Sequence, residues 1–142
     1  MMQSAKWTRT RGFTLLELLV VMVIIGLLAG IVGPRLFGEV SKSEITAARA
    51  QIDALSKALD QFRLDVGRYP SSQEGLAALM QAPADADRWA GPYLKKAVPM
   101  DPWAQPYRYQ FPGTRNPDFD LYSDGPDRQA GGEGRNADIG NW

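Results

Sequence analysis

Residues 13–33 read FTLLELLVVMVIIGLLAGIVG, and 16 of these 21 positions carry apolar side chains, with Glu17 as the one charge. At a rise of 1.5 Å per residue, a helix of this length reaches about 31 Å, matching a hydrocarbon core of about 30 Å. The run can span a bilayer. Residues 1–12 carry Lys6, Arg9 and Arg11 and no acid. The positive-inside rule therefore puts them in the cytoplasm and the C-terminal domain on the other side of the membrane. A secretory signal peptide is the alternative, and it fits poorly. The run exceeds the usual apolar region of about 7–15 residues, no Ala-x-Ala-like site ends it, and it continues through Gly33 and Pro34 into a long helical pattern.

Beyond Pro34, Ile45, Ala48, Ile52, Leu55, Leu59, Phe62 and Val66 succeed each other at alternating steps of three and four. That spacing makes one stripe on one helix face, which an amphipathic helix packed on its own domain requires. Charges occupy the other faces. Glu39 and Lys42, Asp53 and Lys57, and Asp60 and Arg63 stand three or four residues apart and pair along the surface. Gly67 stands where a glycine would end the helix, and Pro70 bars its continuation. The membrane run and this helix together predict one rod of about 54 residues, roughly 80 Å long. Gly26, Gly30, Gly33 and Pro34 are the places where it kinks most cheaply.

Ser71-Ser72-Gln73-Glu74 reads as a capping box opening a short helix through about Met80. Residues 82–106, with five prolines, read as an ordered loop. The short alternating stretches 107–111 and 119–123 are separated by turn residues and predict a small antiparallel sheet of two to four strands. It would lie on the apolar stripe.

The whole chain of 142 residues has 16 Lys plus Arg against 16 Asp plus Glu, with no Cys and no His. A zero balance gives no electrostatic case for nucleic acid. Without Cys or His, zinc fingers, thiol nucleophiles and Ser-His-Asp triads are excluded, as is a disulfide-stapled fold. The balance is uneven along the chain. Without residues 1–12 it becomes 13 basic against 16 acidic residues, and 116–142 holds six acids against Arg128 and Arg135.

Glu17 is the sharpest single feature. A charge at the centre of a membrane helix costs about 2.5–3.5 kcal/mol on insertion scales and usually has a partner. Being near the start of the run, Glu17 could snorkel to the interface. Alternatively, cleavage after Gly12 would leave Phe13 with a free α-amine at the membrane face. In a bundle of parallel helices that amine could meet Glu17 of a neighbouring chain and fix the axial register. The segment Arg11-Gly12-Phe13-Thr14-Leu15-Leu16-Glu17-Leu18 resembles the class III signal of type IV pilins and type II secretion pseudopilins. The resemblance implies cleavage between Gly12 and Phe13 by a prepilin peptidase, N-methylation of Phe13, and retention of the apolar helix as the core of a helical filament.

Downstream, Tyr69-Pro70, Gln73-Glu74-Gly75-Leu76, Gly91-Pro92-Tyr93-Leu94, Asp101-Pro102-Trp103, Phe119-Asp120-Leu121-Tyr122-Ser123 and Asp138-Ile139-Gly140-Asn141-Trp142 resemble the major pseudopilin family of type II secretion, general secretion pathway protein G. By composition alone, the acidic, glycine-rich C-terminal residues read either as a solvated loop or as hard oxygen donors for Ca²⁺, and they are no EF-hand. The resemblance implies one Ca²⁺ there. Asp127 and Asp138 match its two Asp side chains, Asp124 and Gln129 match its carbonyl donors, and Asn136 is assigned as the further polar ligand. Two positions depart from the family: Asp124 replaces an aliphatic residue, and Arg128 replaces a glycine, which matters if that position needs φ > 0.

These readings combine into an α+β, type IV pilin-like fold: a long N-terminal helix, membrane-spanning in its first half, packed on a small antiparallel sheet with a calcium-binding C-terminal loop. The expected divisions are a leader at 1–12, a transmembrane and filament-core helix at 13–34, and a periplasmic domain at 35–142. Within the last lie a helix at 35–66, a variable loop at 67–106, and the sheet and calcium loop at 107–142. The resemblance implies a structural subunit and no enzyme, polymerising into a filament that drives folded proteins across the outer membrane. Its implied partners are further copies of itself, minor pseudopilins, the prepilin peptidase, and an inner-membrane assembly platform with a separate ATPase. The chain has no GxxxxGK[ST] loop of its own. A type IV pilin for adhesion, motility or DNA uptake shares the N-terminus and is the alternative. A membrane-tethered hydrolase using Asp118 and Asp120 fits poorly, since residues alternating along a strand need not converge on a cleft.

Overall fold

A computed structural model describes residues 12–142; the basic residues Lys6, Arg9 and Arg11 lie outside the described residues. One helix, α1, covers Leu15–Val66 with Pro34 inside it. Gly67 terminates it with φ 91° and an N–H bonded to Arg63 O at 2.8 Å, so the C′ glycine expected there is present. The chain divides into two compact units, Met1–Val40 and Ser41–Trp142. In the first, apolar side chains from Leu15 to Val32 are exposed all round the helix among the described residues.

In the second unit the α1 stripe is the core. Ala48, Ile52, Leu55, Leu59 and Phe62 are buried, joined by Ala58, while Ile45 and Val66 at the stripe's ends are partly buried. Tyr69, Leu79, Tyr107, Phe119, Leu121 and Ile139 close over them. Each large side chain so removed from water contributes about 1.5–3 kcal/mol. Lys57 pairs with Asp53 at 2.7 Å on the solvent face, as the spacing requires. Asp60 instead accepts the Tyr69 hydroxyl at 2.8 Å, and that oxygen in turn accepts from Arg63 at 3.3 Å. The tyrosine stands between the two charges that sequence spacing had paired.

The capping box forms: Ser71 N–H donates to Glu74 Oε2 at 2.6 Å and Glu74 N–H to Ser71 Oγ at 3.2 Å. The box closes a turn at 72–74, and the helix that follows is of the tighter 3-10 kind and covers Gly75–Leu79. Arg68 grips both Glu74 oxygens at 2.8 Å, and this bidentate pair pulls the Glu74 carboxyl down to about 2. Residues 82–106 contain no helix or strand, only a bridge between Met100 and Pro106.

Three antiparallel strands complete the chain in the order β1 (Arg108–Gln110), β2 (Asp120–Ser123) and β3 (Ile139–Gly140). Register places Arg108 opposite Tyr122, Leu121 opposite Tyr109, and Ser123 opposite Ile139. The faces therefore alternate. Tyr109, Leu121, Ser123 and Ile139 point at the α1 stripe, while Arg108 and Tyr122 point away. β3 is two residues long, below what alternation in a sequence can reveal. It is reinforced by Asn141, whose side chain accepts Leu121 N–H at 3.0 Å and donates to Phe119 O at 2.9 Å.

Asp120 ties the turn between β1 and β2. Its carboxylate accepts the Thr114 hydroxyl at 2.6 Å and the N–H groups of Thr114, Arg115 and Asn116 at 2.8–3.0 Å. Burial opposes its charge, but these donors outweigh it and hold the pKa near 2, down from 3.8. A carboxyl with a depressed folded-state pKa adds stability that is complete above about pH 4 and is lost as pH falls through the folded value near 2. Asp120→Asn should therefore cost roughly 1–3 kcal/mol at neutral pH. Urea unfolding measured against pH should show that gap to wild type closing between about pH 4 and pH 2, and a pH-independent gap would refute the assignment.

Candidate functional site

Two regions concentrate the functional residues, one at each end of the described chain. At the first, Thr14 precedes α1 and Glu17 lies in its first turn. Glu17 Oε2 accepts Thr14 N–H at 2.8 Å and the Thr14 hydroxyl at 3.0 Å, while Thr14 Oγ1 accepts Glu17 N–H at 3.2 Å. This is a reciprocal capping box, satisfying helix donors that have no partner within the helix itself. The intramembrane carboxylate thus has partners inside its own chain. The Thr-x-x-Glu spacing carries that signal, which the expectation of a cationic partner for Glu17 did not use. Phe13 is among the most exposed apolar side chains, at 87%.

At the second region the chain leaves β2 at Ser123 and returns to β3 at Ile139. Five positions between them take positive φ: Gly125, Arg128, Gly131, Gly132 and Gly134. Arg128, at φ 59°, stands where the resemblance placed a glycine, and it adopts the left-handed conformation all the same. Gly132 is sterically required, since a Cβ there would lie 2.3 Å from Asn136 O. A Cβ on Gly125 would come within 3.3 Å of Ala137 O, so the outgoing and returning arms of the loop touch.

The acids named from the sequence differ in setting. Asp138 has a side chain 4% exposed; both oxygens accept Gly131 N–H at 2.9 Å, and Arg115 is 3.5 Å away. Asp127 is half-buried, and its Oδ1 accepts Gln129 N–H at 3.2 Å. Gln129 and Asn136 are exposed. Asp124 is the surprise. Expected to offer only its carbonyl, it has a side chain 6% exposed, with Oδ2 at 3.0 Å from Arg108 Nε and a buried Oδ1 that has no hydrogen-bond partner. Asp101, which sequence reasoning left in a loop, is a buried staple. It accepts the Ser123 hydroxyl at 2.5 Å and the N–H groups of Trp103 and Gln105 at 3.0 and 2.8 Å.

No three acidic side chains converge on a metal position among the described residues. The chemistry of the loop nevertheless suits a hard cation. Its donors are carboxylate, amide and carbonyl oxygens, its backbone is bent by glycine, and one buried carboxylate oxygen lacks any donor.

Comparison with known proteins adds an independent line. Residues 35–142 match the family model described as type II secretion system (T2SS), protein G, and residues 7–33 match the prokaryotic N-terminal methylation motif. The type II secretion system core protein G of Pseudomonas aeruginosa is 47% identical over 135 residues, covering 92% of this chain and 94% of the relative. That of Vibrio cholerae is 43% identical over 140 residues, covering 96% and 94%. Among solved structures, the major pseudopilin of the type 2 secretion system of enterohaemorrhagic Escherichia coli superposes with a TM-score of 0.65 at 33% identity, covering 75% of this chain and 89% of that one.

Proposed function

The chain belongs to the type II secretion system protein G family, and from that premise we propose how its own residues carry out the family's task. It is a major structural subunit of the type II secretion pseudopilus, not an adhesion or motility pilin, and it is not an enzyme. Its N-terminal apolar helix anchors it in the inner membrane with the C-terminal domain in the periplasm. One observation carries the assembly reading: apolar side chains cover every face of α1 from Leu15 to Val32. Such a surface is stable only in lipid or against other apolar helices.

In this reading residues 1–12 are a leader, removed by prepilin peptidase between Gly12 and Phe13, and Phe13 is then N-methylated. The match of residues 7–33 to the methylation motif supports it. Residues 13–34 pass from the bilayer into the filament core, and residues 35–142 form the periplasmic exterior. There the helix at 35–66 carries the loop at 67–106 and the sheet with its cation loop at 107–142. Glu17 has two alternative partners: Thr14 within its own chain, and the Phe13 amine of a neighbour. Exchanging the first for the second gives the carboxylate a cationic partner in place of uncharged donors, in a medium that hydrates neither ion. Growth of the filament on the assembly platform draws on a separate ATPase, and minor pseudopilins and further copies complete it.

For the C-terminal loop the reading is one Ca²⁺, with Asp127 and Asp138 as carboxylate donors, the carbonyls of Asp124 and Gln129, and the Asn136 amide. The ion would supply a crosslink between the arms of a loop that has no cysteine to tie it.

Mass spectrometry of the mature protein should find Phe13 at the N-terminus with one added methyl group; a start at Met1 or after residue 33 would sink the leader assignment. Glu17→Gln should largely abolish filaments seen by electron microscopy while leaving leader cleavage intact, and normal filaments would rule out the pairing. Chelation of the full chain in detergent with EGTA should lower its melting temperature by about 10 °C, given an ion near 100-fold above its Kd. No shift would remove Ca²⁺ from the loop.

A further inference from the structure

Asp124 follows the last residue of β2 and Asp138 precedes the first residue of β3. Tyr122 opposes Gly140 and Ser123 opposes Ile139, so the two aspartates stand one residue beyond the last paired rung of that register. Both lie on the face that carries Arg108 and Tyr122, turned away from α1. Their side chains are 6% and 4% exposed. Two like charges directly opposite on a ladder repel, and burial makes the repulsion costlier. Each has one arginine nearby, Arg108 for Asp124 and Arg115 for Asp138, and both guanidinium groups are more than half exposed. Asp138 also receives Gly131 N–H on both oxygens, but Asp124 Oδ1 receives nothing. A buried carboxylate oxygen without a donor is satisfied by a cation.

We propose that the Asp124 side chain is itself a ligand of the loop cation, giving this chain an additional carboxylate donor beside Asp138. The proposal rests on the Ca²⁺ reading above and sharpens it. Asp124 then contributes through its side chain and not only through its carbonyl. Arg108 holds the other carboxylate oxygen and aims the first. A hard cation bound by more anionic oxygens is held more tightly, because charge count is a main determinant of affinity at such sites.

The test is calorimetric titration of the full chain in detergent with Ca²⁺, together with Tb³⁺ luminescence decay in H₂O and D₂O, which counts waters on the ion. Wild type should bind. Asp124→Leu and the isosteric Asp124→Asn should each weaken Ca²⁺ by about tenfold or more, and the Leu variant, with no side-chain oxygen to offer, is the one whose water count should rise by one. Arg108 is exposed enough to be rehydrated in either variant, and circular dichroism will establish that both are folded. Affinity within twofold of wild type overturns the proposal. So does weaker affinity with an unchanged water count in the Leu variant, which would mean that Asp124 acts only as a distant charge. If wild type itself fails to bind at millimolar Ca²⁺, the underlying Ca²⁺ reading is what falls.

Discussion

Everything in the C-terminal unit depends on one helix face. Ala48, Ile52, Leu55, Leu59 and Phe62 present a stripe with no alternative partner, and each later element is placed by how it covers that stripe. The 3-10 helix brings Leu76 and Leu79, β2 brings Leu121, and β3 brings Ile139. The sheet is too small to stand alone, since a few short strands need a packed apolar face for stability. Its strands are ordered because the helix gives them something to bury. The same helix, read towards its N-terminus, loses its polar faces and becomes apolar all round. A single element thus serves two solvents, and the change of pattern along it divides the protein between membrane and periplasm.

Around that core the buried carboxylates divide the structural labour. Asp101 and Asp120 are each fully satisfied by hydroxyl and backbone donors, and each closes a turn. They replace regular structure where the chain has little. Asp124 and Asp138 are different, because their donors are fewer and their arginines face water. The contrast puts an unsatisfied buried carboxylate oxygen at the root of the glycine-rich loop. Burial of charge is tolerable where donors are counted out in full, and a shortfall marks the spot where something external is needed.

The long-period features were legible in the sequence, as were the two strands β1 and β2, while β3 and the contacts that depend on the loop folding back were not. Seven apolar positions at alternating steps of three and four fixed the second half of α1, and Gly67 and Pro70 fixed its end. The Ser71–Glu74 box was readable because capping has a four-residue spacing with a mechanism. β3 escaped because two residues carry no alternation, and its stability comes from the Asn141 amide, a contact 20 residues away in sequence. Thr14 went unrecognised because a charge in an apolar run points first to a cation and only second to a cap. Asp124 was read as a carbonyl donor from its place in the family pattern. Its side-chain burial depends on register with Asp138 and on the loop folding back, neither of which is local. Arg128 tolerating a left-handed backbone likewise stems from the loop's closure, not from its own preference.

The stripe at 48–62 is synthesised well before some of the residues that cover it. Tyr69, Leu76 and Leu79 follow closely, but Leu121, Ile139 and the Asn141 clamp come last in the chain, so part of the apolar face stays bare until they emerge. Loop closure over that separation must be paid for before any of these contacts reward it. Completion of the domain is therefore tied to the emergence of its last strand. The order in which the residues emerge is itself a timing device: a subunit whose last strand has not emerged has not yet built the outer surface that a filament would display.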